Sequence, residues 1–356
     1  MTETEKTQEE GLLAKANAGD TDAQLMLAIV YENRGEDAKA FEWTKKSAEK
    51  GNQYAQCKLG TMYAEGIGTR PNDRQALSWY LKAADQGLPD AMFFAASAYQ
   101  YGMGVKENKE AAVKWYMAAA EAGHVEAQCA VASFYHAGEV LEENPDEAFK
   151  WYKKAAEQGH ADAQLGLGEL YADGRGVEAN AKEAVAWFLK AAEQGNAAAQ
   201  ESLGWMYQEG RGVRKNAKKA YQWYLMAAEQ GEPEAQVALG HMYVEGRGVA
   251  KDTAKAIEWY EKAARQGSED GKVCLAMQYI LTEDPKAHKK AFQLCMPLAK
   301  GGSSLAMCAL GIMYADGVGV PQSDKLARKY FQQAIDAGNP DAAAMLAEFE
   351  AALGKA

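Results

Sequence analysis

Histidines, cysteines and glycine-rich loops are the features of this chain that could carry catalysis or hold a metal ion or a phosphate. No two of the five histidines have the spacing of a metal-ligand pair; they are His124, His136, His160, His241 and His288. The Gly-x-Gly segments, such as residues 174–176, recur at a fixed interval after predicted helices, which indicates structural turns and not phosphate loops. Serine nucleophile elbows, Walker loops and Cys-x-x-Cys pairs are missing from the sequence. We therefore predict no enzymatic activity and no catalytic, cofactor-binding or metal-binding residues.

Charge and cysteine content narrow the class of protein further. The formal charge of −11 would repel a phosphate backbone and an anionic bilayer, and no apolar run approaches the roughly 20 residues of a membrane span, which argues against nucleic acid and membrane insertion. Five cysteines, an odd number without a recurring pair, indicate reduced thiols. Residues 1–10 are polar and acid-rich, unlike a secretory signal, and are expected to form a disordered leader. The expected location is cytoplasmic.

The spacing of tryptophan predicts the helices on which any functional residue must lie. Seven of the eight tryptophans lie 36 residues apart, from Trp43 to Trp259. In the copy at 195–230, Ala199, Leu203 and Tyr207 recur at intervals of four and predict a first helix that ends at a Gly-x-Gly turn. A second helix follows in each copy, with a capping side chain before it; these caps are Asn72, Asn108, Asn144, Asn180, Asn216, Asp252 and Ser323. A hairpin this small cannot bury its apolar face alone, so the copies are expected to stack.

These residues resemble a known repeat. The segments Ala228–Gly231 and Ala235–Val249 carry Ala-Glu-Gln-Gly and Ala-Gln-x-x-Leu-Gly-x-Met-Tyr-x-x-Gly-x-Gly-Val, which is similar to the Sel1-like repeat, a relative of the tetratricopeptide repeat. The resemblance covers about residues 11–356. It implies an all-α fold, a right-handed α-solenoid superhelix of about nine antiparallel helix-turn-helix repeats with the first helices lining its concave face. It also implies a role as an adaptor or scaffold, and no catalysis.

The register of the repeat sets the predicted boundaries. A single solenoid domain spans residues 11–356, with units at about 11–50, 51–86, 87–122, 123–158, 159–194, 195–230, 231–266, 267–301 and 302–337 and a capping helix at 338–356. The first unit lacks the Gly-x-Gly loop and the fourth replaces it with residues 138–141. The eighth is the most degenerate, because Leu294 and Cys295 stand where Trp and Tyr recur.

Acidic residues concentrate at one set of varying positions. By the geometry of the resembled family, the third, sixth, tenth, thirteenth and fourteenth residues after each repeat glycine should face the concave side; we call these the groove positions. Over nine first helices they hold no Lys or Arg and 14 carboxylates, which leaves 36 acidic against 39 basic residues elsewhere. The 14 are Asp22, Glu32, Glu65, Asp90, Glu126, Asp162, Glu169, Asp173, Glu201, Glu209, Glu234, Glu245, Asp270 and Asp316. Carboxylates in a first turn also suit the helix dipole, whereas Glu169 and Glu201 lie mid-helix without that reason.

Aromatic residues accompany the acids at these positions. Trp205 is the one tryptophan outside the 36-residue period, so the common packing does not require it. Acidic and aromatic groups together suit Arg or Lys side chains through charge pairing and cation–π contact. The predicted protein-binding residues are Tyr54, Asp90, Phe93, Tyr101, Glu126, Asp162, Glu169, Asp173, Glu201, Trp205, Glu209, Glu234, His241, Glu245 and Met277.

Three functions fit this pattern. The first is a monomeric adaptor that captures a basic segment of another protein in the acidic, aromatic-lined groove, with no small-molecule substrate. The second is an immunity protein or inhibitor that wraps a toxin or effector. The third is a structural subunit that self-associates through the C-terminal repeats, where the groove positions turn apolar, as at Val273, Met277 and Leu305.

Overall fold

The structure is a computed structural model that describes residues 3–354. Every regular element in this range is an α-helix, and short turns join the helices into antiparallel pairs, as the sequence predicts. The chain divides into two compact units, one ending at Asn180 and the other beginning at Ala181. The division falls inside the fifth predicted repeat, between its two helices, and each unit is described here by itself.

The first unit contains ten helices, four complete hairpins among them. Its helices are α1 (Glu3–Ala18), α2 (Thr21–Glu32), α3 (Asp37–Glu49), α4 (Gln53–Glu65), α5 (Asp73–Ala84), α6 (Pro89–Tyr101), α7 (Lys109–Glu121), α8 (Val125–Ala137), α9 (Pro145–Glu157) and α10 (Ala161–Asp173). The even-numbered helices are the first helices of their repeats, and the odd-numbered helices from α3 onward are the second helices.

The second unit continues the same numbering and ends in a single helix. Its helices are α11 (Ala181–Glu193), α12 (Ala197–Glu209), α13 (Ala217–Gln230), α14 (Pro233–Glu245), α15 (Thr253–Arg265), α16 (Glu269–Ile280), α17 (Pro285–Lys300), α18 (Ser304–Asp316), α19 (Asp324–Asp336) and α20 (Ala342–Leu353). Helix α20 packs on α18 and α19 in the place of the predicted capping helix.

The N-terminal segment differs from the prediction. Residues 3–10, expected to be a disordered leader, begin helix α1. This helix has a surface to pack on, because Leu12 contacts the buried cluster that contains Leu27. Glu9 also accepts two hydrogen bonds from the Arg34 guanidinium, at 2.8 and 2.6 Å. Residues 1 and 2 of the predicted leader lie outside the described residues.

Asparagine side chains start the second helices, as the sequence predicts. The carboxamide oxygen of Asn216 accepts a hydrogen bond from the amide of Lys219 at 3.0 Å, and Asn72 does the same for Gln75 at 3.1 Å. Each bond satisfies one of the amide groups that a helix start leaves without an intrahelical partner. These bonds therefore fix where each second helix begins.

A buried glutamine connects consecutive hairpins. The side-chain amide of Gln128 on α8 donates to the carbonyl of Ala120 in the last turn of α7, at 3.2 Å, and its oxygen accepts from Gln158 at the end of α9, at 2.8 Å. The same donation to the preceding helix is made by Gln24, Gln56, Gln164, Gln200 and Gln236. The Ala120 carbonyl also accepts from the backbone amide of Gly123 at 3.1 Å, so the glutamine adds a second hydrogen bond to it from the next repeat.

The periodic tryptophans pack between second helices, and five of the seven carry a lysine on their outer side. Trp79 of α5 packs with Ala48 of α3 and with Leu59 of α4, and the Lys82 ammonium lies 3.5 Å from its ring centroid. Corresponding lysines cover Trp43, Trp151, Trp187 and Trp259 at 3.5 to 4.0 Å. The tryptophan is thus a packing residue, and the cation–π contact shields its remaining face from water.

The eighth hairpin departs from this arrangement. Its helices α16 and α17 are joined by residues 281–284 without a Gly-x-Gly turn. Leu294 takes the position of the periodic tryptophan, and Pro297 lies inside α17 where the other repeats place the covering lysine. The degeneracy predicted from Leu294 and Cys295 therefore removes both partners of the tryptophan–lysine pair.

We expect Gln128→Met to lower the free energy of unfolding by about 1–3 kcal/mol, because it removes two hydrogen bonds, one to the Ala120 carbonyl and one from the Gln158 side chain. Gln24→Met is the matched control. The oxygen of Gln24 is already buried without a partner, so its replacement loses one hydrogen bond and removes one unsatisfied atom. Chemical denaturation of both variants measures the difference in unfolding free energy. An equal loss of unfolding free energy in the two would contradict a stabilising contribution from the Gln128–Gln158 hydrogen bond.

Candidate protein-binding surface

Within each unit, a residue at a groove position lies close to a residue that belongs to the next first helix. In the first unit, a carboxylate oxygen of Asp90 on α6 lies 3.7 Å from the ring of His124, which caps α8. In the second unit, neighbouring first helices α12, α14, α16 and α18 contact each other in sequence. There, Nε2 of His241 lies 3.7 Å from the sulfur of Cys274 on the next first helix. Side chains from successive repeats can therefore meet one ligand.

The predicted acids of the first unit lie at the protein surface. Asp90, Glu126, Asp162, Glu169 and Asp173 are all exposed. Two of the predicted aromatic residues also face solvent, since the side chains of Tyr54 and Tyr101 are 59% and 70% exposed. The surface of this unit thus offers carboxylates and phenol rings together.

Phe93 packs against neighbouring aromatic rings. Its ring stacks on the imidazole of His124 with centroids 4.5 Å apart and meets the ring of Tyr116 edge-on at 5.5 Å. The side chain is half-buried. Phe93 therefore belongs to the packing between α6, α7 and α8 and leaves little area for a partner.

The cysteines at groove positions are buried. Cys57 and Cys129 each have a side chain that is 8% exposed. Burial raises the pKa of both thiols to about 12, so they stay protonated at neutral pH. They contribute packing and not charge to the predicted surface.

Glu169 is the mid-helix acid of the first unit. Partial removal of its carboxylate from water raises its pKa, and the negative charge of Asp173 raises it further. A cationic ligand would relieve both effects, since it would favour the ionised form. The environment of Glu169 therefore favours a positively charged neighbour.

Glu201 holds the corresponding place in the second unit. It is half-buried on α12, and desolvation raises its pKa, with smaller contributions from Glu234 and Glu232. Glu209 and Glu234 are exposed on α12 and α14. Three carboxylates on two neighbouring helices therefore concentrate negative charge in this unit.

Trp205 is exposed, but an arginine covers part of it. The side chain is 39% exposed, and the carbon of the Arg211 guanidinium lies 5.1 Å from the ring centroid. Arg211 comes from the Gly-x-Gly loop that follows α12. The ring already holds a cation from its own chain, so a partner's cation would have to replace it.

His241 and Met277 have structural roles. Nδ1 of His241 is hydrogen-bonded to the hydroxyl of Tyr260 at 3.0 Å, and desolvation lowers the pKa of the imidazole. Met277 is half-buried and packs on the cluster around Leu310. Both residues are positioned by contacts within the unit, and they are weaker candidates for partner contact than the acids.

A tyrosine contact explains which tenth positions are available to a partner. The second-helix tyrosine reaches its own first helix: Tyr80 bonds Thr61 at 3.2 Å, and Tyr152 bonds Ser133 at 3.0 Å. Small hydroxyl residues at this position are thus used internally. In the sequence, this contact is indicated by a Ser or Thr that lies 19 residues before a tyrosine. Trp205 holds the Ser or Thr position of its repeat and has no hydroxyl to offer.

Arginines near the groove positions were missed by sequence reasoning. Arg175 lies between its loop glycines and forms a 2.5 Å ion pair with Glu143, and Arg247 in the equivalent loop pairs with Glu245. Each belongs to a loop that follows a first helix, outside the five positions considered. Glu245 is therefore a partly neutralised acid.

Residues 3–354 contain no cluster of three or more His, Cys, Asp or Glu side chains arranged to hold a metal ion. In the same range, no helix combines the length and the apolar character needed to cross a bilayer.

Comparison with known proteins identifies the class. The Sel1 repeat matches at residues 21–52, 53–88, 89–124, 125–160, 161–196, 197–232, 233–268 and 304–339. The chain therefore belongs to the Sel1 repeat family, in the tetratricopeptide-like superfamily. The unmatched stretch between residues 268 and 304 contains the degenerate eighth hairpin.

Particular relatives are found among solved structures. The chain is similar to a protective antigen of uropathogenic Escherichia coli with 31% identity, a TM-score of 0.82 and coverage of 96% of this chain and 82% of that one. A Sel1 repeat protein of Oxalobacter formigenes is 30% identical with a TM-score of 0.59, covering 95% and 89% of the two chains. An immunity protein of Pseudomonas aeruginosa, 22% identical over 62% of this chain and 83% of that chain, has a TM-score of only 0.37 and carries no functional argument. No curated protein matches the chain.

We expect Glu201→Gln to raise the melting temperature at neutral pH, because the glutamine does not have to be ionised in a half-buried place. The folded-state pKa of Glu201 lies above its unfolded value, so the wild type loses stability as pH rises through the folded-state pKa. The advantage of the variant should shrink as pH falls below about 4.3. Thermal melts at pH 7 and below about pH 4.3 test this. Glu209→Gln, which replaces an exposed carboxylate, is the control. Identical melting of Glu201→Gln and wild type at pH 7 would contradict it.

Proposed function

We propose that this protein is a non-enzymatic adaptor that binds a basic segment of another protein along the groove positions of its first helices. The observation that carries the proposal is the set of acids at the groove positions, with the exposed Glu169 in the first unit and the half-buried Glu201 in the second. Both carboxylates have raised pKa values caused by desolvation and by neighbouring acids. A bound Lys or Arg would offset this electrostatic cost.

The arginines narrow the proposed contact region. Because Arg247 pairs with Glu245 and Arg211 lies over Trp205, we assign the strongest attraction in the second unit to Glu201, Glu209 and Glu234. In the first unit we assign it to the acids of α8 and α10. Trp205 becomes an anchor when the guanidinium of a partner replaces Arg211, which exchanges one cation–π contact for another.

We also propose that the protein acts as a monomer in the cytoplasm. All five cysteines are free, and four of them are buried. Buried thiols do not form intermolecular disulfides, which supports a reduced, unlinked chain.

The charge-reversal pair Glu201→Lys and Glu209→Lys should weaken binding of the basic partner by about tenfold or more, or ~1.4 kcal/mol. It should also flatten the salt dependence of affinity, because fewer opposite charges meet. The matched control reverses Glu193 and Glu229, which are exposed at the ends of the second helices α11 and α13. Affinity capture at low and high salt, followed by titration of the recovered partner, measures both effects. Equal recovery by the two double variants would exclude the groove positions.

Trp205→Ala should reduce affinity for the same partner by about 2 kcal/mol, as expected for an aromatic anchor. Met226→Ala is the control, since Met226 is a large apolar side chain that is 45% exposed on a second helix. Calorimetric titration distinguishes the two. A Trp205→Ala protein that binds as tightly as the Met226→Ala protein would remove Trp205 from the site.

A further inference from the structure

A cavity of about 340 Å³ opens in the second unit beside the degenerate eighth hairpin. Its walls come from α15, α16 and α17 and include Ala264, Leu275, Tyr279 and Leu294. The cavity does not involve the acidic groove positions, so it calls for a separate explanation.

The repeat register shows what the cavity is. At the second hairpin, Trp79 packs against Ala48, Leu59 and Tyr63. Six repeats later, those three wall residues are Ala264, Leu275 and Tyr279, which line the cavity. The residue equivalent to Trp79 is Leu294, which is a much smaller side chain. The cavity is therefore the tryptophan slot of the repeat with the tryptophan missing.

The neighbouring hairpin of the same unit fills its slot. Trp259 packs on the cluster that contains Ala228 and Leu239, the counterparts of Ala264 and Leu275, and Lys262 lies over its ring at 3.6 Å. In α17 the counterpart of Lys262 is Pro297. Neither the indole nor its cationic cover is present at the eighth hairpin, so the slot is open to solvent.

The walls of the slot also provide polar groups. The hydroxyl of Tyr279 donates to Glu261 at 2.9 Å, and the second oxygen of Glu261 accepts from Arg265 at 2.8 Å, so both oxygens of this carboxylate are hydrogen-bonded. Because proline has no amide hydrogen, Pro297 removes the usual i+4 donor from the carbonyl of Gln293, a residue that lines the cavity. That carbonyl is an acceptor suited to an indole N–H. The Lys290 ammonium, also on the lining, is 5.8 Å from the Tyr279 ring and can pair with an acidic flank.

We propose that this slot binds the indole ring of a tryptophan side chain presented by a partner polypeptide. The same wall residues hold an indole elsewhere in this chain, which makes tryptophan the side chain whose shape the slot matches. Its volume is adequate, since an apolar cavity of about 150 Å³ already accommodates benzene in another protein. Burying a large aromatic ring there removes apolar area from water on both sides.

The test uses N-acetyl-tryptophanamide as a probe of a tryptophan within a chain, titrated into the full-length protein by ligand-observed NMR. Saturable binding is expected for the wild type, together with no binding of N-acetyl-leucinamide. Leu294→Trp should weaken binding at least tenfold and raise the melting temperature, because the chain then fills its own slot. Leu281→Trp makes the same change at a residue that is 76% exposed and should leave binding unchanged.

Several outcomes would overturn the proposal. One is the absence of saturable binding of N-acetyl-tryptophanamide to the wild type, and another is equal binding by Leu294→Trp and Leu281→Trp. A third is a wild type that binds free indole but not N-acetyl-tryptophanamide, which would indicate a small-molecule site. If Leu294→Trp does not fold, Ala264→Leu fills the slot from α15 and should give the same loss. Self-association that disappears in Trp205→Ala, measured by sedimentation, would assign the occupant to a second copy instead.

Discussion

The hydrogen bonds of a buried glutamine, made in six of the repeats, are the interaction around which the stacking of this structure is organised. The carbonyl that such a glutamine reaches already accepts one backbone hydrogen bond, as Ala48 does from Gly51 at 3.0 Å, and a carbonyl oxygen has a second lone pair to offer. The glutamine of the following first helix donates to it from the next hairpin, as Gln56 does to Ala48 at 3.1 Å. Its oxygen then accepts from Gln86 at the end of its own hairpin, at 2.7 Å. One side chain therefore joins three helices and sets the register between two repeats.

Because these contacts use fixed positions, the remaining positions are free to vary. The tenth groove position shows both cases. Where it carries Thr61 or Ser133, the second-helix tyrosine takes its hydroxyl, and where it carries Trp205, the side chain is left at the surface. The acids of the groove positions are likewise exposed, except Glu32 and Glu201, which are half-buried. The residues that could determine which partner binds therefore lie at positions that the stacking of the hairpins does not fix.

The fold could be predicted from the sequence because its determinants are local and repeated. The tryptophan period, the asparagine caps and the loop glycines each report one hairpin, and the structure has those hairpins where the register predicts them. Helix α1 was missed because its stability comes from contacts with Leu27 and Arg34 and not from its own acidic sequence.

The candidate site was less predictable, because a face of one helix does not reveal what neighbouring elements place beside it. The stack of Phe93 on His124 and the position of Arg211 over Trp205 join residues whose distances depend on how elements pack. The cavity at Leu294 is a similar case. The substitution was visible in the sequence, but only the surrounding walls show that nothing else fills the space.

The glutamine contact has a consequence for how such a chain changes its length. A hairpin that has the glutamine brings an acceptor carbonyl at its end and a donor at its start, so a duplicated copy placed between two of its kind finds both partners already present. Such a copy adds a module without requiring any compensating substitution. At the eighth hairpin the glutamine position is Lys272, which bonds the carbonyl of Gly267 instead. A duplicated copy of this hairpin would therefore lack the glutamine contact, as would a copy of the third or the ninth, where Met92 and Met307 hold the position.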